Sequence, residues 1–90
     1  AHIVVGQASV QIFEGKPDDD LPGGWPTGWV KRVFRRRGGS LKGRGDRYWY
    51  SPKEGIRLRS LVEVRRFFIA LKQTKGNELK AQEIFRSIQL

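Results

Sequence analysis

Residues 29–50, WVKRVFRRRGGSLKGRGDRYWY, decide the fold of this chain. In residues 29–35, β-branched and aromatic side chains are spaced by basic ones, a pattern that predicts a β-strand. Glycines then interrupt the pattern repeatedly, and the final letters DRYWY predict the returning strand. On that strand Tyr48 and Tyr50 fall on one face and Trp49 falls on the other. The stretch therefore predicts an antiparallel hairpin with a long, basic tip.

The segment after the hairpin predicts the main helix. Ser60 and Glu63 have the spacing of a capping box, and the helix is expected to run from there to about Lys72. An apolar stripe at helical spacing follows the box and consists of Val64, Phe67, Phe68 and Leu71. Turn-forming residues 74–77 end this helix, and residues 78–88 predict a second one. The inward side chains of the second helix are expected to be Leu79, Ile84, Phe85 and Ile88.

The segment before the hairpin predicts less regular structure. Residues 10–13, VQIF, could form an edge strand, and residues 16–28 predict a surface loop pinned by Leu21 or Trp25. The acidic run at 18–20 is interpreted as a solvated part of that loop and not as a metal site. The fold class is therefore α+β, with a short antiparallel sheet, a long basic hairpin, one main helix behind the sheet and an extra short C-terminal helix.

Composition excludes several kinds of site. The chain has 90 residues, enough for one small domain, and it has no cysteine and a single histidine, His2. A thiolate metal centre is excluded, and neither a metal nor a cofactor is expected. No apolar run approaches the roughly 20 residues that cross a bilayer, so no membrane partner is expected. No serine has a plausible base near it in the sequence, and the protein is not expected to be an enzyme.

The basic charge is concentrated in one part of the chain. The net charge is +9, from 18 basic and 9 acidic residues. Residues 1–30 hold one basic residue against four acidic ones, whereas residues 31–66 hold 13 basic residues against three acidic ones. A segment so rich in arginine favours a phosphate-bearing partner, because its positive field is not balanced locally.

Two arginine clusters, residues 35–37 and 57–59, have carboxylates within reach. The planar guanidinium fork fits O6 and N7 of guanine together, and a nearby carboxylate can hold the fork in place. Asp46 is placed to hold an arginine of the first cluster, and Glu63 lies one helical turn beyond Arg59. A two-stranded ribbon has the right width for a DNA major groove, and a CG step offers one guanine on each strand. Two such arginine–carboxylate units would therefore suit a CG step.

The order and spacing of these residues resemble the methyl-CpG-binding domain family. The matching residues are Leu21-Pro22, Gly28-Trp29, Arg35-Arg36-Arg37-Gly38-Gly39, Gly43, Asp46-Arg47-Tyr48, Ser51-Pro52, Arg59-Ser60 and Val62-Glu63, and the resemblance ends at about Leu71. This sequence has one extra residue between Pro52 and Arg59 relative to the commonest pattern. A bulge there could move Arg59.

The resemblance implies a role for each matching polar residue. It implies that Arg36 and Arg59 are two fingers that bind the symmetric guanines of a methylated CpG and pack against the neighbouring methyl groups. Asp46 would brace Arg36 and approach one methylcytosine, Glu63 would brace Arg59, and Tyr48 would lie near the other methyl group through ordered water. Contacts to the DNA phosphates are expected from Arg37, Lys42, Arg44 and Ser60.

The resemblance also implies the biological setting. The expected function is that of a chromatin reader module in the nucleus, bound as a monomer to double-stranded DNA with methylated CpG, with chromatin proteins as further partners. Residues 1–20 would be an N-terminal extension, 21–74 the binding domain and 75–90 a C-terminal helical extension. Two alternatives stay open, namely DNA binding that ignores methylation and a protein-interaction module of the same fold. Equal affinity for methylated and bare CG would indicate the first, and competition by duplex DNA would test the second.

Overall fold

A computed structural model describes residues 9–36 and 45–89, the last two of them by their backbone alone. This part of the chain forms, in order, β1 (Ser9–Gly15), β2 (Val30–Arg36), β3 (Gly45–Tyr50), β4 (Arg57–Leu58), α1 (Leu61–Gln73) and α2 (Glu78–Gln89). The strands make one antiparallel sheet in the order β1-β2-β3-β4. The α+β class is therefore confirmed.

The two strands of the predicted hairpin form the centre of the sheet, and its basic tip lies outside the described residues. β2 and β3 pair so that Phe34 lies opposite Asp46 and Val30 lies opposite Tyr50. Paired residues of antiparallel strands share a face, so Asp46, Tyr48 and Tyr50 point to one side and Trp49 points to the other. Trp49 is buried whereas both tyrosines are half-buried, as the alternation predicts. The predicted edge strand at residues 10–13 lies within β1, which pairs with β2 at the edge of the sheet.

Helix α1 begins with the predicted cap. The Oγ atom of Ser60 accepts a hydrogen bond from the backbone N–H of Glu63 at 3.1 Å. The carboxylate of Glu63 reaches one residue further back than in a capping box and accepts from the backbone N–H of Arg59 at 2.8 Å. The helix ends in the predicted turn, where Lys75 and Gly76 have positive φ angles of 55° and 88°. Neither α1 nor α2 is long and apolar enough to cross a membrane.

The core lies between the Trp49 face of the sheet and the two helices. Its centre is Phe67 of α1, which is fully buried. The ring of Phe67 meets Trp29 and Phe85 edge-on, with centroids 6.0 and 6.3 Å apart. Val64 and the unpredicted Ala70 complete the buried side of α1. This aromatic packing joins both helices to the sheet.

The loop over residues 16–28 is fixed by more contacts than the sequence predicted. Both expected anchors are used, because Leu21 is buried and the ring of Trp25 packs against Trp29. The interpretation of the acidic run as solvated is wrong for Asp19, whose side chain is only 14% exposed. Its carboxylate binds the ammonium group of Lys31 at 3.0 Å and accepts from the indole N–H of Trp49 at 2.9 Å. The loop is thereby attached to the sheet by charge as well as by apolar contacts.

Lys31 is a buried cation on β2 with two carboxylate partners. Its Nζ atom lies 2.9 Å from Asp18 and 3.0 Å from Asp19. Burial by itself would lower the pKa of Lys31, but the hydrogen bonds to the two carboxylates outweigh burial and raise it above its ordinary value. The same contact lowers the pKa of Asp18. Lys31 therefore stays charged although it is buried.

Helix α2 lies where it was predicted, but its orientation differs from the expected one. The expectation that Leu79 points inward is wrong, because Leu79 is 55% exposed. The inward side consists of Glu78, Ala81 and Phe85, with Ile84 packed beside them. Successive residues on a helix differ by about 100° in direction, so turning Glu78 inward turns Leu79 to solvent. The side chain of Ile88 lies outside the described residues.

The first prediction concerns the centre of the core. Replacing Phe67 by Ala should lower the free energy of unfolding by about 3–5 kcal/mol, because a buried ring leaves a cavity that its neighbours fill only in part. Urea denaturation measures the change. Ile69→Ala on the exposed side of α1 is the matched control and should stay within about 0.5 kcal/mol of the wild type. Similar losses from both changes would contradict the described packing.

The second prediction separates the two carboxylates that bind Lys31. Asp19→Ala should lower the free energy of unfolding by about 1.5–3 kcal/mol, because it removes a charged hydrogen-bond partner from both Lys31 and Trp49. Asp18→Ala should leave the urea midpoint nearly unchanged, because the side chain of Asp18 is 74% exposed and its ion pair is screened by water. A larger effect at Asp18 than at Asp19 would contradict the assignment of Asp19 as the partner that Lys31 and Trp49 share.

Candidate functional site

An open cleft of about 600 Å³ lies where the end of β2, the start of β3 and the start of α1 meet. It gathers five of the predicted site residues, namely Arg36, Asp46, Tyr48, Arg59 and Ser60. Arg36 is the last residue of β2, whereas Arg59 and Ser60 directly precede α1. The fold therefore brings together two arginines that are far apart in the sequence.

Arg36 and Asp46 form a two-pronged ion pair at one side of the cleft. The Nε and Nη2 atoms of Arg36 donate to the two carboxylate oxygens of Asp46, at 3.1 and 3.3 Å. The pair follows from the register, because Asp46 lies opposite Phe34 and Arg36 lies diagonally across on the same face. The hydrogen bond to Asp46 raises the pKa of Arg36 above its ordinary value. The contact uses two of the five N–H donors of the guanidinium group, and it orients the others.

Arg59 is held in a different way. Its backbone N–H donates to the carboxylate of Glu63, so Glu63 fixes the main chain at Arg59. Among the described residues, no ion pair joins the side chains of Arg59 and Glu63. The bracing of the guanidinium group of Arg59 by Glu63 therefore stays a prediction. The contact that the structure contains joins the carboxylate of Glu63 to the backbone N–H of Arg59.

Tyr48 lies on β3, between β2, which ends at Arg36, and β4, which directly precedes Arg59. Its ring meets Phe34 edge-on, with centroids 5.8 Å apart, and the guanidinium carbon of Arg57 lies 5.0 Å from its centroid. A cation over an aromatic face is attracted by the negative charge of the ring face, which holds the tyrosine in place. Arg57 had no predicted role. The signal was its spacing of two from Arg59, which predicts the same face in an extended segment.

The predicted phosphate contacts are only partly described. Arg37, Lys42 and Arg44 lie outside the described residues, so their roles stay predictions. The hydroxyl oxygen of Ser60 accepts from the N–H of Glu63. A hydroxyl that accepts one hydrogen bond can still donate its own proton, so Ser60 is able to donate to an anion in the cleft.

Comparison with known proteins identifies the family. A family model described as methyl-CpG binding domain matches residues 16–83, well over half of the chain. The match includes all the residues that line the cleft. No match was found among curated proteins or among solved structures.

The third prediction tests the ion pair in the cleft. Asp46→Asn keeps an oxygen acceptor but removes the negative charge, so the hydrogen bonds from Arg36 should weaken. The Nε proton of Arg36 should then exchange faster with water, which NMR of nitrogen-labelled protein measures. Glu14→Gln is the control, because Glu14 lies 3.4 Å from the Nε atom of Arg32 and does not contact Arg36. An unchanged exchange rate in Asp46→Asn would contradict the pair.

Proposed function

The chain belongs to the methyl-CpG binding domain family, and we propose that its cleft reads a symmetrically methylated CpG step in the major groove of double-stranded DNA. Arg36 and Arg59 are the two arginine fingers in this proposal. The family is one of DNA-binding domains and not of enzymes, its activity is binding to methylated CpG, and its proteins are typically nuclear. We extend to this chain the role of a nuclear chromatin reader without catalytic activity.

The observation that carries the proposal is the pair of arginines in one cleft, reached from two different elements. A CG step presents one guanine on each strand, and each guanine offers O6 and N7 to a planar fork. Arg36 is already oriented by Asp46, and Arg59 enters the cleft from the start of α1. Two forks from two sides of one cleft match the symmetry of the step.

Recognition of the methyl groups follows from the shape of an arginine. The aliphatic stem and the flat face of the guanidinium group can cover a methyl group while the fork binds the adjacent guanine. In this proposal Asp46 approaches one methylcytosine, and Tyr48 approaches the other methyl group through ordered water. A good bidentate pair is worth about 1–3 kcal/mol of discrimination, whereas one buried methyl adds about 0.8 kcal/mol. The protein should therefore prefer CG strongly over other steps, and it should prefer methylated CG over bare CG by a smaller factor.

The remaining basic residues supply affinity that does not depend on sequence. We assign Arg37, Lys42, Arg44 and the hydroxyl of Ser60 to the DNA phosphates. Binding should weaken steeply as salt rises, because each neutralised phosphate releases condensed counterions. The proposal includes binding as a monomer, a binding domain over residues 21–74 with extensions on both sides, and chromatin proteins as further partners.

The fourth prediction tests the two fingers. Arg36→Ala and Arg59→Ala should each lower the affinity for a duplex with one methylated CG by about 5–150-fold, which corresponds to the loss of one bidentate contact. Fluorescence anisotropy at one fixed salt concentration measures the affinity. Arg86→Ala is the charge-matched control, because Arg86 is exposed in the last turn of α2 and does not line the cleft.

Three duplexes distinguish the possible outcomes. They share one sequence except that the central step is methylated CG, bare CG or no CG. Finger variants should lose most on methylated CG, whereas Lys42→Ala should weaken binding to all three alike. Equal losses of affinity on all three duplexes in the finger variants would contradict the assignment of Arg36 and Arg59 as fingers. Equal affinity of the unmodified protein for methylated and bare CG would leave a DNA-binding domain that ignores methylation.

A further inference from the structure

Glu78, the first residue of α2, is an acidic side chain buried among neutral partners. It is 5% exposed. One carboxylate oxygen accepts from the hydroxyl of Ser51 and from the backbone N–H of Glu54, both at 2.7 Å, and the other accepts from the N–H of Lys53 at 3.2 Å. Burying a carboxylate costs free energy unless hydrogen bonds replace its water. The three donors offset this cost, so α2 is fastened to the segment at residues 51–56.

Residues 51–56 form a turn that is closed by two hydrogen bonds between Ser51 and Ile56. The backbone N–H of Ser51 donates to the carbonyl of Ile56 at 3.1 Å, and the N–H of Ile56 donates to the Oγ atom of Ser51 at 2.9 Å. Gly55 completes the turn with a φ of 63°, which favours glycine. The hydroxyl of Ser51 therefore links Glu78 directly to the backbone that leads into β4.

The path from this turn to Arg59 is very short. After Ile56 only the two residues of β4 pair with β3, and Arg59 follows at once. Two paired residues supply few sheet hydrogen bonds, since strands in folded proteins usually run to 3–10 residues. Arg36 differs, because it ends a seven-residue strand that is paired on both sides. The position of Arg59 depends on what holds the chain around it, namely the turn, the buried side chain of Leu58 and the bond to Glu63.

We propose that Glu78 is a positioning residue for Arg59, which makes α2 part of the DNA-reading unit and extends that unit beyond residues 21–74. Glu78 fixes the turn before Arg59, and Glu63 fixes the backbone of Arg59 itself. Recognition groups have to be held within about 0.5 Å of their productive geometry, so a turn that relaxes would misplace the finger without removing it. This inference rests on the proposed role of Arg59.

The test compares Glu78→Ala with Glu83→Ala, which removes an exposed glutamate from the same helix. The quantity measured is the ratio of affinities for a duplex with methylated CG and for the same duplex without CG. Glu78→Ala should lower this ratio by about 5-fold or more, within the range of one lost bidentate contact. Glu83→Ala should leave the ratio unchanged. A merely structural role would lower the folded fraction and weaken both affinities equally, so an unchanged ratio in Glu78→Ala overturns the proposal.

A double-mutant cycle shows which arginine Glu78 serves. Glu78→Ala should lower the ratio further in an Arg36→Ala protein but not in an Arg59→Ala protein. Equal further losses in both backgrounds would overturn the proposal while leaving the fingers intact. If Arg59→Ala alone leaves the ratio unchanged, the finger assignment fails and the role of Glu78 fails with it.

A milder variant and a second readout keep the test valid if Glu78→Ala folds poorly. Glu78→Gln keeps an oxygen that accepts from Ser51 and Glu54, but it places an NH2 group opposite the N–H of Lys53. The affinity ratio of Glu78→Gln should therefore lie between those of the wild type and Glu78→Ala. Amide hydrogen exchange should rise at Lys53 and Glu54 in Glu78→Ala and at Lys53 in Glu78→Gln, with the amides of α1 unchanged. Unchanged exchange at both amides in Glu78→Ala would overturn the role of Glu78 in holding the turn.

Discussion

The buried side chain of Trp49 sets the register on which the rest of the structure depends. Side chains alternate along β3, so a slip of one residue against β2 would expose Trp49 and turn Asp46 and Tyr48 into the core. The indole fills the core beside Leu58, and its N–H donates to Asp19. A slip would therefore lose apolar burial and leave polar groups without partners. The same alternation that buries Trp49 places Asp46 and Tyr48 on the face that borders the cleft.

A few carboxylates organise a strongly basic chain. Asp19 neutralises the buried Lys31, Asp46 orients Arg36, Glu63 holds the backbone of Arg59, and Glu78 holds the turn before β4. Each carboxylate fixes a different part of the surroundings of the cleft. The positive charge that attracts a phosphate backbone therefore does not have to disorder the domain by self-repulsion. The acidic residues are few, but their positions decide where the basic ones point.

The sequence predicts the features that depend on contacts between near neighbours. The paired strands of the hairpin and the Ser60 cap follow from local periodicity, and the structure contains both. An ion pair between Asp46 and an arginine of residues 35–37 was also predicted, the resemblance pointed to Arg36, and the structure contains that pair. The contacts that were missed join distant segments. Glu78 binds Ser51 across 27 residues, and Asp19 binds Trp49 across 30. The outward direction of Leu79 was missed for the same reason, because it depends on where Glu78 finds its partners.

The two proposed fingers are prepared for binding to different degrees. Arg36 already has its guanidinium group oriented by Asp46, so it loses little rotamer freedom when it meets a guanine. Arg59 is fixed at its backbone, by Glu63 directly and by Glu78 through the turn, while its exposed side chain still has to be ordered. Ordering one long side chain costs about 0.5–1.5 kcal/mol. In the proposed complex, a symmetric CpG step would meet an asymmetric site, in which one finger is oriented before binding and the other depends on the accuracy of its backbone.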